Sequence, residues 1–140
     1  MLEQLSGYVL PRLSYEVTQA LIDAYGLASL DMNPVHMDPE WFARAKVFGT
    51  PKTVAHGMMT MSFMVSAVLR DLGPATELIS VESKFTKPVP VGSTIEVSAT
   101  VRDVHLIGDG FDYAVVAVEA RDQDGVVVGV SEVSVSVDEL

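Results

Sequence analysis

Cysteine is absent from the 140 residues of this chain. That excludes disulfides, thiolate metal sites and a cysteine nucleophile. Basic residues are scarce: nine Lys and Arg stand against nineteen Asp and Glu, for a formal net charge of −10. Nucleic-acid phosphates need a basic surface, so no nucleic-acid partner is expected. The apolar segments are broken too often to span a bilayer. No N-terminal stretch joins positive charge to a long apolar run, so neither a membrane span nor a secretory signal is expected. Histidine occurs only at 36, 56 and 105, without the paired spacing of a metal site. No metal or other cofactor is expected.

What remains is the composition of a globular domain, 49% hydrophobic and 20% charged. A chain of this length buries roughly 70% of its unfolded surface, and no linker, repeat or low-complexity tract divides it. Residues 1–140 are read as one cytoplasmic domain. The charge is uneven, however. Residues 44–87 hold six basic and three acidic side chains, and the rest of the chain holds three basic and sixteen acidic. The basic stretch is either an ordinary solvated surface or a place to receive a phosphorylated carrier.

The pattern predicts helices first and strands afterwards. Residues 8–17 read as extended, and Thr18 then caps a helix with Leu21, Ile22, Tyr25 and Ala28 on one face. Asp38, Pro39 and Glu40 start a second helix that ends near Gly49. A third, from about Gly57 to Leu69, is apolar on nearly every side and should be buried. After Pro74 the chain reads as strand. Ile95, Val97, Ala99 and Val101 alternate with polar residues, and so do Val133, Val135 and Val137 with Glu132, Ser134, Ser136 and Asp138. Residues 111–122 are rich in aromatic and β-branched types. Turns fall at Pro90-Val91-Gly92, Gly108-Asp109-Gly110 and Asp124-Gly125. Four strands in an antiparallel sheet covering one apolar helix give an α+β fold.

Within this frame Asp31 and His36 stand out. Carboxylate and imidazole are the usual pair for moving protons at neutral pH. The Asn33-Pro34 step between them ends the first helix and makes a stiff bend, because Pro34 fixes its own φ and disfavours helical geometry at Asn33. Such a bend can hold a small molecule, such as water, between the two groups. It can equally be a plain helix-ending loop.

The stretch Tyr25-Gly26-Leu27-Ala28-Ser29-Leu30-Asp31-Met32-Asn33-Pro34-Val35-His36 resembles the hydratase signature of the MaoC-like family. That family comprises R-specific enoyl-CoA hydratases and related 3-hydroxyacyl thioester dehydratases. Ala55-His56-Gly57-Met58-Met59-Thr60-Met61-Ser62 resembles the start of the same family's central helix. The resemblance implies a hotdog fold, in which an antiparallel sheet wraps a central helix, and a homodimer. It also implies reversible hydration of trans-2-enoyl thioesters of coenzyme A, or of acyl carrier protein, to (3R)-3-hydroxyacyl thioesters. Asp31 and His36 would handle the protons. The Gly57 amide, at the positive end of the central helix, would receive the charge that develops on the thioester oxygen.

Asn33 either bonds the substrate or only makes the turn. Ser62 either bonds Asp31 or the substrate, or bonds its own preceding turn. His56 is read as pinning the loop before the helix rather than as catalytic, near enough to substrate to contact it. His105 is read as a surface or edge residue. Where the family usually has Gly, this chain has Leu30, which is expected to narrow the pocket or shift the Asp31 backbone. Two other readings are an acyl-CoA thioesterase and a non-catalytic acyl-thioester-binding subunit. The first needs a carboxylate beside the start of the central helix, and Val54, Ala55, Met58 and Met59 offer none.

Overall fold

In the computed structural model, residues 2–137 are described. The order is β1 (Leu13–Glu16), α1 (Gln19–Ser29), α2 (Pro34–Met37), α3 (Pro39–Ala45), α4 (Gly57–Leu72), β2 (Leu78–Phe85), β3 (Thr94–His105), β4 (Tyr113–Arg121) and β5 (Val127–Ser136). A short 3₁₀ turn, Leu2–Leu5, precedes them. All strand pairs are antiparallel, in the spatial order β1-β3-β4-β5-β2.

The alternation in the sequence is the sheet's two faces. Ile95, Val97, Ala99 and Val101 of β3 are buried, as are Val116, Val118 and Ala120 of β4 and Val133, Val135 and Val137 at the C-terminal end. They enclose Met59, Met64, Ala67 and Val68 of α4, so the sheet wraps one helix in the hotdog arrangement. Asp138 lies outside the described residues.

Three expectations need correction. The sheet has five strands, not four, because Leu13–Glu16, inside the stretch read only as extended, pairs with β3 as an edge. It is only four residues long, half-buried and exposed by turns, too short a run to stand out as a strand. The second predicted helix stops at Ala45, short of Gly49. Lys46 turns left-handed at φ 48° and donates its N–H to the Phe42 carbonyl, and the chain folds Phe48 back towards Phe42. Finally, α4 runs on to Leu72, where Gly73 at φ 96° ends it, and it is not buried all round. Met58 is 53% exposed and Met61, Phe63 and Val65 are half-buried, so the outer side of α4 stays open.

The caps are as expected. Thr18 Oγ1 accepts the Leu21 N–H, and Asp38 Oδ1 accepts the Trp41 N–H ahead of Pro39. The Asp124-Gly125 turn joins β4 to β5, with Asp122 Oδ1 accepting the N–H groups of Asp124 and Val126. His105 ends β3, exposed and stacked on Tyr113 at 4.5 Å. No helix among the described residues is long and apolar enough to cross a membrane.

Candidate active site

Three short pieces of chain build the site. The first is the end of α1. Leu30 closes the helix in the left-handed region at φ 63° and ψ 17°, and Asp31 follows on an exposed loop. Gly26 makes this packing possible: a Cβ there would lie 2.6 Å from Met37 Sδ and 3.3 Å from the Asp31 carbonyl oxygen. The second piece is α2. It replaces the expected simple bend with one helical turn, capped by Asn33 Oδ1 accepting the Val35 N–H, with Pro34 at its first position. That turn aims His36 inward. The third is the segment Val54–Gly57, leading into α4 and tied to the chain beyond β2 by the Ala55 N–H bond to the Val89 carbonyl, 2.8 Å.

These pieces are joined by histidine. His36 Nδ1 lies 2.7 Å from the Val54 carbonyl oxygen, and His56 Nε2 lies 2.9 Å from that of Asp31. A carbonyl only accepts, so each of these nitrogens carries the proton. In the neutral rings, His36 Nε2 and His56 Nδ1 are then bare. The two rings stack at 4.0 Å with 25° between their planes, and Tyr25 packs on His56 at 4.9 Å. Burial holds the His36 pKa below the ordinary histidine value, helped by the neighbouring His56. The Val54 carbonyl and the Asp31 carboxylate oppose that shift without cancelling it.

A ring nitrogen of each histidine and an oxygen of the Asp31 carboxylate all lie within 4.8 Å of one another. Such a trio suggests a metal site, but the stacking argues against one. An ion must lie near both ring planes, and planes inclined by only 25° meet far from either ring. The same three groups are well arranged to pass protons.

His36 opens onto a cavity of about 310 Å³, which it lines together with Phe48, Val54, Gly57, Thr60, Phe85 and Lys87 among others. Gly57 begins α4, ahead of the first helical bond, from the Met59 N–H to the His56 carbonyl. Its amide therefore belongs to the helix's unpaired positive end. Glycine here also makes room for Phe85, since a Cβ would sit 3.1 Å from that ring. A larger hollow of about 610 Å³ lies on the sheet's outer face among Glu82, Lys84, Arg102 and Glu132, and holds none of these residues.

Asp31, His36 and His56 thus come together, and His36 and Gly57 share the cavity wall, which Asp31, His56, Asn33 and Ser62 do not join. Asn33 Oδ1 is used in capping α2. Ser62 Oγ donates to the Met58 carbonyl at 2.8 Å and faces a separate groove between α1 and α4, with Leu21, Tyr25 and Phe63. Leu30 corrects another expectation. It is 85% exposed and outside the cavity wall, so it neither narrows the pocket nor fills the core. Its position is one that glycine adopts without strain.

Sequence reasoning missed Gln19. Its Nε2 donates to the His36 carbonyl at 2.9 Å, and its Oε1 accepts from Thr53 Oγ1 at 2.6 Å. A half-buried glutamine in the first turn of a helix was the available signal. The Val54 carbonyl was also missed, and no side-chain pattern could have revealed it.

With this geometry in view, the relatives are informative. The sequence matches the MaoC like domain family over residues 4–128. The chain belongs to that family. It is 42% identical over 79 residues to 3-hydroxyacyl-thioester dehydratase Y of Mycobacterium tuberculosis, covering 55% of this chain and 26% of that one. It is 34% identical over 91 residues to the (R)-specific enoyl-CoA hydratase of Rhodospirillum rubrum, covering 64% of this chain and 60% of that one. The chain therefore spans about a quarter of the first relative and 60% of the second. The R-hydratase PhaJ1 of Pseudomonas aeruginosa shares the fold, with a TM-score of 0.84 at 23% identity over 96% of this chain and 83% of that one.

Proposed function

We propose that the chain catalyses reversible syn hydration of trans-2-enoyl thioesters to (3R)-3-hydroxyacyl thioesters, with Asp31 and His36 as the proton-handling pair. The observation that carries this reading is the convergence of the two side chains beside a cavity that also contains the first amide of α4. His36 Nε2, bare because Nδ1–H is committed to Val54, is the acceptor for a proton of the attacking water. The Asp31 carboxylate accepts that water's other hydrogen. As the water oxygen bonds to C3, electron density moves through C2 to the thioester oxygen, which the Gly57 N–H receives. The proton taken from water is returned to C2 from the same side. Atoms balance with water as the only co-reactant.

The net charge of −10 favours coenzyme A as the carrier, since an acidic carrier protein would meet an acidic chain. The β2 edge, with Leu78, Ile79 and Phe85 exposed, supports a homodimer formed by pairing with a second copy. Incubation with crotonyl-CoA tests the reaction. Loss of the conjugated enoyl absorbance without release of free thiol is expected; thiol release would mean thioester hydrolysis, and no change at all would mean binding without turnover. Light scattering of an active protein at about 15 kDa, the mass of one chain, would refute the dimer.

A further inference from the structure

We infer that His56 is a positioning residue for the Asp31–His36 pair, its Nε2–H fixing the Asp31 main chain while its ring face holds His36. The inference rests on the hydratase reading for its consequence, but on geometry for its substance. Asp31 makes three hydrogen bonds among the described residues. Two are local: its N–H to Ser29 Oγ at 3.3 Å, and its Oδ1 from the Asn33 N–H at 3.3 Å. Only the third, from His56 Nε2–H to its carbonyl, reaches another part of the chain, 25 residues away. The carboxylate is otherwise carried on an exposed loop with no tie to the start of α4.

The polarity of His56 has no other use in the structure. It is 1% exposed, makes no side-chain cap for α4, and leaves Nδ1 buried without a partner. Phenylalanine would fill the same space without a buried unpaired nitrogen, so the ring nitrogens are explained by the single bond to Asp31. The placement is efficient. Val54, His56 and Gly57 sit on one short segment, so one piece of chain sets the tautomer of His36, the position of Asp31 and the amide for the thioester oxygen. Misplacing such groups by about 1 Å costs on the order of 10²-fold in rate.

Two variants separate the two roles. His56→Phe keeps the ring face and loses the donor, whereas His56→Gln keeps an amide N–H near the Nε2 position and loses the ring. The charged and titratable groups around His36 are Asp31 from the loop after α1, His56 before α4 and Lys87 across the cavity, with Tyr25 of α1 against His56. Neither variant alters Asp31, Lys87 or Tyr25. With crotonyl-CoA, His56→Phe should lower kcat about 10–100-fold with KM little changed, and raise the acid limb of kcat/KM only slightly, because the effect of His56 on the His36 pKa is lost while its burial is kept. His56→Gln should recover about tenfold of that kcat. It should also move the acid limb to higher pH, because His36 becomes more hydrated and its pKa rises.

The same roles are read without turnover by NMR. The Asp31 carbonyl ¹³C shift should change in His56→Phe and be kept in His56→Gln, while the His36 ring ¹⁵N titration should move further in His56→Gln than in His56→Phe. If wild-type protein does not hydrate crotonyl-CoA, the hydratase reading fails and these NMR shifts still decide the role of His56. Equal kcat in the two variants, or Asp31 and His36 signals unchanged in both, would overturn the inference.

Discussion

The sheet and the segment from Thr18 to Gly57 are held by different forces. In β3, β4 and β5, Val, Ile and Ala side chains are buried beneath continuous backbone ladders. In the site segment, Asp31 to Pro34 are all exposed, and the short helices α2 and α3 are closed by side chains bonding to backbone. Gln19, His36 and His56 add three more such bonds between separate pieces. The sheet therefore sets whether the chain folds, and polar bonds set where the reactive groups stand. Changes in one should leave the other's readout largely untouched.

The largest expected effect is in the site. Asp31→Asn and His36→Ala should each lower kcat at least about 10²-fold, with the double variant little worse than the poorer single one. Melting temperatures should move by only a few degrees, since Asp31 is exposed and His36 half-buried. Near-wild-type turnover in either single variant would sink the pair. The opposite pattern is expected at Ile95, fully buried in the sheet. Ile95→Ala should cost about 2–5 kcal/mol in denaturant unfolding, while kcat of the folded fraction stays near wild type.

Gly26→Ala tests the boundary between the two regions. The added methyl must displace the flexible end of Met37, an overpacking cost of about 1–3 kcal/mol, and it presses on the Asp31 carbonyl. Stability and kcat should fall together, and Met37→Ala in the same chain should restore part of both.

The pH dependence gives a smaller effect. Because the His36 pKa is depressed, the neutral ring persists below the ordinary histidine range, so the acid limb of kcat/KM should lie below about 6.5. The stability contribution has the same direction. It is complete above the unfolded histidine value and lost as pH falls through the depressed folded one, because the unfolded chain takes up the proton first. An acid limb above the ordinary value would contradict the burial of His36. The smallest effect belongs to Leu30. Leu30→Gly removes left-handed strain of about 1–2 kcal/mol but loosens the unfolded chain, for a net gain of about 0.5–1 kcal/mol. The acyl-chain preference should not change.

The two regions also differ in how far the sequence reveals them. Alternation exposed β3 and the C-terminal part of β5 because one face of each is buried and the other is not. β1 read only as extended because four residues are too few to show such a contrast. Asp31, His36 and Gly57 were legible as residues, but the bonds that orient them run to the carbonyls of Val54 and Asp31, and a carbonyl is present at every position. Leu30 was misread for a related reason. Of the two effects expected there, added volume in the pocket fails because the side chain is exposed, and the position is defined by its left-handed backbone angle.

The sheet order has a consequence for the newborn chain. The partner of β2 is β5, and Leu78 pairs with Val135, so this strand must wait until Val135 has been made. At about 5–20 residues per second, that interval is roughly 3–11 seconds. During it α4 is complete, but the strands that will cover its apolar side are made only one after another. The long-range pairing also predicts slow refolding in solution, because distant strands must meet before their contacts repay the lost chain entropy. A chaperone that binds apolar helices would therefore meet this chain at Met58–Leu69 before the last strand emerges.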